Sequence, residues 1–226
     1  LSRRKLIPAL AHLAAEGQSG LATKLAKKVY AGEAATTGQK NSALRCLLKA
    51  DPVASVGQVI QVAKDSKYAK ALLGMMPAGK ACTIAFGETL IKQNALAEPG
   101  MLQLLLDRED PAAMPVVCEA LKGKLASSDR DAAMEFVGQF GALSDLGWLL
   151  KEFKAGNKTA AKALMALNAD GVEHELLAKA ETDASLIAIL AGRRAQAALP
   201  MMIAQLKKPT NSSAVKAAAS AVPVMA

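Results

Sequence analysis

Gly74, Gly79 and Lys80 stand in GMMPAGKACT at the spacing G-x-x-x-x-G-K, which opens a loop that cradles phosphates with backbone N–H groups and a lysine. Further on, the apolar run MLQLLLD ends in Asp107, as a magnesium-holding strand would. Nucleotide chemistry needs more than this spacing. It needs a buried strand before the loop and a Ser or Thr after the lysine to hold the metal. Here the next residue is Ala81, and the preceding SKYAKALL carries lysines and lacks β-branched residues, a helical composition. Pro77 also matches the helix-opening prolines at 8, 115 and 200. The stretch therefore reads as a turn between helices.

Other reactive side chains are sparse. His12 and His174 are the two histidines, and Glu173 and Glu175 fall on other faces of the helix that carries His174. No G-x-S-x-G elbow is present to support a nucleophile. Cys46, Cys82 and Cys118 are 36 and 36 residues apart, on apolar stretches with no nearby His. They read as small core residues and not as a metal set. With no C-x-x-C pair and an odd count, a disulfide framework is not expected, which favours an intracellular, reducing compartment such as cytoplasm or an organelle interior. The expectation is no enzyme: no catalytic residues, no cofactor and no metal.

The elements that would position these residues are all helical. Hydrophobic residues make up 52% of the chain but aromatics only 3%, so alanine and leucine carry the apolar content and strand formers are scarce. Apolar residues recur at helical spacing and break at Gly, Pro, Asn or Asp. The periodicity predicts helices over 3–15, 20–31, 40–50, 53–64, 67–76, 79–93, 98–107, 112–126, 129–140, 143–154, 158–168, 171–180, 184–192, 196–207 and 212–221. No apolar run approaches the roughly 18 residues of a membrane span. The chain begins at Leu1 and stops in the apolar AAASAVPVMA, so the expectation is part of a longer chain.

Self-similarity emerges in the second half. Two-helix units begin at Ala132, Ala160 and Ala184, with a partial one at Ser213, so that starts lie 28, 24 and 29 residues apart. The stretch GRRAQAALPMMIAQLKKPTNSSAVKAAASAV, 192–222, resembles a HEAT repeat of the short bacterial, phycobilisome-lyase-like kind. The resemblance rests on Gly192 ending a helix, Pro200 opening the next, Leu206 in the leucine stripe, the polar turn Pro209 to Ser212, and Val215-Lys216. Pro209-Thr210-Asn211 replaces the usual Asp of that turn, and Val-Lys replaces Val-Arg. Residues 128–183 resemble the pattern more loosely, and 1–127 only in rhythm and proline positions. The resemblance implies an all-α fold, a right-handed α-solenoid of about seven stacked antiparallel helix pairs. It implies one helical-repeat domain over 1–226, clearest over 128–222, and a scaffold or adaptor role. Phycobilin lyases with related repeats act on a chromophore, but this chain lacks the aromatic lining a tetrapyrrole cleft would need.

Charge is the stronger functional signal. The net charge is +8, yet residues 1–80 hold 13 Lys and Arg against 4 Asp and Glu, while 81–226 hold 15 against 16. The basic residues cluster as Arg3, Arg4 and Lys5; Lys24, Lys27 and Lys28; Lys40, Arg45 and Lys49; Lys64, Lys67 and Lys70. Asn41, Arg45 and Lys49 form one helical stripe away from Leu44, Leu47 and Leu48. One reading is a solvated face. The other is an electropositive docking surface on Lys24, Lys27, Lys28, Arg45, Lys49, Lys67 and Lys70, fitted to an acidic protein surface in a larger assembly. A nucleic acid held by its phosphates is the alternative. Tyr30 and Tyr68 alone give too little aromatic interleaving to read bases.

Overall fold

The structure, a computed structural model, describes residues 19–33, 35–63 and 67–225. The expected helix 3–15, with Arg3, Arg4, Lys5 and His12, lies outside them, as does Lys64. Every regular element among the described residues is helical. The α-helices are α1 (Ser19–Ala31), α2 (Thr37–Ala50), α3 (Pro52–Ala63), α4 (Lys67–Gly74), α5 (Lys80–Lys92), α6 (Met101–Leu106) and α7 (Met114–Lys122). They continue as α8 (Ser127–Phe140), α9 (Leu146–Lys154), α10 (Lys158–Ala166), α11 (Val172–Ala180), α12 (Leu186–Gly192), α13 (Leu199–Lys207) and α14 (Ser212–Met225). Among the described residues no helix is long and apolar enough to cross a membrane.

Local chemistry starts these helices where the sequence marks them. Thr36 and Gln39 form a capping box at α2: Gln39 N–H donates to the Thr36 hydroxyl at 3.3 Å, and Thr36 N–H donates to Gln39 Oε1 at 2.9 Å. Pro52 opens α3 while Asp51 accepts from Ala54 N–H at 3.0 Å. Asn157 accepts from Thr159 and Ala160 N–H at 2.9 and 3.2 Å, and Asn211 from Ala214 N–H at 2.9 Å.

Several expected boundaries shift by a few residues, the start expected at 40 moving back to Thr37, and three of the shifts have a plain local cause. The helix expected from 98 begins at Met101, because residues 95–100 turn and Gly100 adopts φ +76°. The one expected to 126 ends at Lys122, before Gly123. The last runs beyond 221 through Pro223 to Met225, a proline in the final turn removing a single backbone bond. Short 3-10 turns, Pro111–Ala113, Leu143–Asp145 and Gln196–Ala198, lead into α7, α9 and α13.

The chain divides into two compact units, one up to Asp129 and one from Arg130. In the first, α2 packs on α1, α3 and α4; α3 also packs on α4 and α5; α5 also packs on α6 and α7; and α4 packs on α6. In the second, α10 packs on α9 and α12, and α12 also on α11, α13 and α14, with α13 on α14. These contacts join a helix to its neighbour or next neighbour, as short connections dictate. The cores are mainly aliphatic, built on Leu44, Leu47, Ile60, Leu72, Leu90, Leu102 and Leu105 around Phe86 in the first and on Met134, Leu149, Leu164, Leu176, Leu190 and Met202 with Phe136 in the second.

Two arginines tie separate helices together in the same way. After α12, the Arg193 guanidinium donates to the carbonyls of Leu164, Met165 and Leu167 at 2.8, 3.1 and 2.8 Å. These belong to the C-terminal end of α10, where carbonyls lack helical partners and a cation opposes the dipole. After α6, Arg108 donates to the carbonyls of Met76 and Pro77, just beyond α4, and to the Thr83 hydroxyl at 3.1 Å. Each arginine precedes a left-handed residue, Glu109 with φ +49° and Arg194 with φ +55°. Each is followed by a 3-10 turn and a helix with proline at its second position, Pro115 and Pro200.

Candidate functional site

α1 meets α2 through a small apolar seam. Leu25, Val29 and Tyr30 pack against Ala26, Ala43, Cys46 and Leu47. Burial pushes the Cys46 thiol above its ordinary value, which keeps it protonated and unreactive. That seam turns Lys24, Lys27 and Lys28 outward on α1, and Arg45 and Lys49 outward on α2; all five are exposed. Lys67 is exposed at the start of α4. None of these six makes an ion pair among the described residues.

Lys70 differs from the rest of the expected set. It is half-buried, and its ammonium donates to the Pro99 carbonyl at 3.0 Å, stitching α4 to the turn before α6. The structure brings Arg45 and Lys49 to one cleft, whose other walls are Leu48, Leu72, Met75 and Pro77 and whose volume is about 160 Å³. Met75 is 65% exposed. Sequence reasoning missed these four apolar residues. Met75 and Pro77 read as turn residues, and only the packing of α4 on α2 sets them beside the cations.

From Glu119 onward several charges are answered. Ion pairs join Lys122 to Glu119 at 2.8 Å, Arg130 to Glu152 at 2.7 Å and Lys154 to Asp183 at 3.2 Å. Lys179 meets Glu175 at 3.6 Å and Lys162 meets Glu135 at 3.9 Å. The Asp183 carboxyl is held below the usual carboxylate range, first by the Ser185 hydroxyl and then by Lys154 and the Ser185 N–H.

The G-x-x-x-x-G-K turn lies between two helices. α4, and not a strand, precedes it, and Gly79 carries φ +130° at the start of α5. A cavity of about 340 Å³ opens there, walled by Gly74, Gly79, Thr83, Asp107, Arg108 and Asp110 among others. The guanidinium of Arg108 lines this cavity and donates to the carbonyls of Met76 and Pro77. Asp110 is held below the usual carboxylate range, first by the Ala112 N–H that it caps at 2.9 Å, then by the Thr83 hydroxyl, and also by Arg108 and Lys80. The lysine of the motif therefore sits in the field of a carboxylate. Asp107 accepts from Gln103 at 2.6 Å. His174 is exposed on α11, and no three His, Cys, Asp or Glu side chains among the described residues converge as metal ligands.

Comparison of the chain with protein-family models, with curated proteins and with solved structures finds no match. The functional reading therefore rests on the chemistry of the chain's own surface.

Proposed function

We propose that this chain is a non-enzymatic helical-repeat scaffold, a HEAT-like right-handed solenoid of stacked helix pairs, that docks an acidic protein surface through α1, α2 and the start of α4. The observation that carries the reading is the exposure of Lys24, Lys27, Lys28, Arg45, Lys49 and Lys67 with no ion pair among the described residues. Gathering like charges opposes folding through self-repulsion, and such a field speeds the arrival of an opposite charge. The repeat character is supported by the twin geometry of Arg108 and Arg193, each bracing the end of a helix two earlier and leading into a Pro-opened helix. Stacked units of this kind share a continuous core and present extended surfaces for partners.

Affinity capture with the chain and with its Arg45→Glu, Lys49→Glu variant, run in parallel and read by mass spectrometry, tests the docking role. Acidic proteins retained by the first and lost from the second support it, once a purified one shows slower association with the variant. Identical retention by both chains contradicts it. Retention of nucleic acid, with affinity falling steeply in salt, replaces the protein partner by a phosphate backbone.

A further inference from the structure

The cleft beside Arg45 and Lys49 has two kinds of wall. The cations stand one turn apart on α2, about 6 Å along its axis, and form one rim. Leu48, Leu72, Met75 and Pro77 form the floor and the opposite side. Met75 lies 65% exposed directly before the buried Met76, so an apolar side chain is left facing water beside two unpaired charges. Asp51, the nearest acid along the chain, is already engaged at the start of α3 by Ala54 N–H at 3.0 Å. At about 160 Å³ the cleft is close to the size of an apolar cavity that holds one benzene ring.

We infer that this cleft takes a single aromatic or aliphatic side chain of a partner protein segment whose neighbouring carboxylates pair with Arg45 and Lys49. The inference rests on the proposed docking role and narrows it to one subsite and one ligand chemistry. A phosphate backbone would satisfy the two cations and leave the exposed Met75 and Pro77 wet. An acidic segment with an apolar anchor covers both walls, and burial of the anchor adds an attraction that salt does not screen.

The test uses the full chain and a labelled peptide in which one Phe sits within a run of Asp and Ser. Its counterparts are the same peptide with Phe replaced by Ser, and an oligouridylate of equal charge; anisotropy reads binding. Burying a Phe side chain corresponds to roughly tenfold or more in affinity, so the Phe peptide is expected to bind at least tenfold tighter than the Ser peptide. Met75→Ser should weaken the Phe peptide several-fold and leave the Ser peptide unchanged. Met75 is largely exposed, so the variant's melting temperature should match that of the parent chain, which separates lost binding from lost folding. Arg45→Glu with Lys49→Glu should weaken both peptides. Equal binding of the two peptides, unaffected by Met75→Ser, overturns the cleft and leaves docking by charge alone. Indifference to the double reversal overturns the docking role as well. Tighter binding of the oligouridylate through Arg45 and Lys49 overturns both in favour of nucleic acid.

Discussion

Helices α2 and α8 are built to the same burial register and dressed with opposite chemistry. On α2, Ala43, Leu44, Cys46, Leu47 and Leu48 are buried; on α8 the corresponding residues are Ala133, Met134, Phe136, Val137 and Gly138. The exposed positions between and beyond them are Arg45 and Lys49 on α2 but Glu135 and Gln139 on α8. Glu135 is answered by Lys162 at 3.9 Å, whereas Arg45 and Lys49 have no ion-pair partner among the described residues. Packing therefore decides which positions face water and leaves their charge open. The cations of α2 are free of structural duty, unlike Arg108 and Arg193, whose guanidinium groups hold helix ends.

The largest effect should come from removing a cation that builds the fold. Arg193→Ala strips three carbonyls of charged hydrogen bonds, and at about 1.5–3 kcal/mol for a bond to a charged group a loss of about 3 kcal/mol is expected. A chemical denaturation midpoint indistinguishable from the parent's would show that the clasp is dispensable. Next comes the packing difference between the paired helices. A Cβ at Gly138 would lie 2.7 Å from the Ala163 Cα, so Gly138→Val should force α8 from α10 and destabilise by about 1–3 kcal/mol. Retained stability would mean that the two helices yield easily at their crossing.

Swapping the surfaces should do far less to folding. Glu135→Arg with Gln139→Lys gives α8 the dressing of α2 at the expense of one exposed, long ion pair, and a change within about 1 kcal/mol is expected. A collapse of stability would mean that charge is built into the register after all. The smallest effect is in acid. Asp183 titrates below the ordinary carboxylate value of about 4 because of Ser185 and Lys154. A depressed folded value contributes stability above the unfolded value, and that contribution is lost as pH falls through the folded one. Asp183→Asn should therefore flatten the fall in melting temperature below about pH 4. An unchanged acid profile would remove the role assigned to Asp183.

What was legible in the sequence was local. Asp51-Pro52, Asp110-Pro111, Asn157 and Asn211 mark helix starts because a cap acts within one turn, and each does so in the structure. The capping box of Thr36 and Gln39 was missed, and that helix was expected only from 40. The start of α6 was misplaced because the left-handed turn at Gly100 competes with the helical pattern of its leucines. The clasps of Arg108 and Arg193 leave no local signal, since their acceptors lie some 26 to 32 residues away. The cations of the docking face were legible as a helical stripe. Its apolar complement was not, because Leu72, Met75 and Pro77 reach Leu48 only through the packing of α4 on α2.

The central claim is that the unpaired cations of α1 and α2 serve association and not folding. Stopped-flow association of the chain with poly-glutamate at low salt, set against its Lys24→Glu, Lys28→Glu, Arg45→Glu, Lys49→Glu variant, tests it most directly. Electrostatic steering raises association rates by roughly 10- to 1000-fold, so the variant should associate at least tenfold more slowly, with a melting temperature no lower than the parent's and the difference shrinking as salt rises. Equal rates for the two chains, or a variant that fails to fold, would contradict the claim.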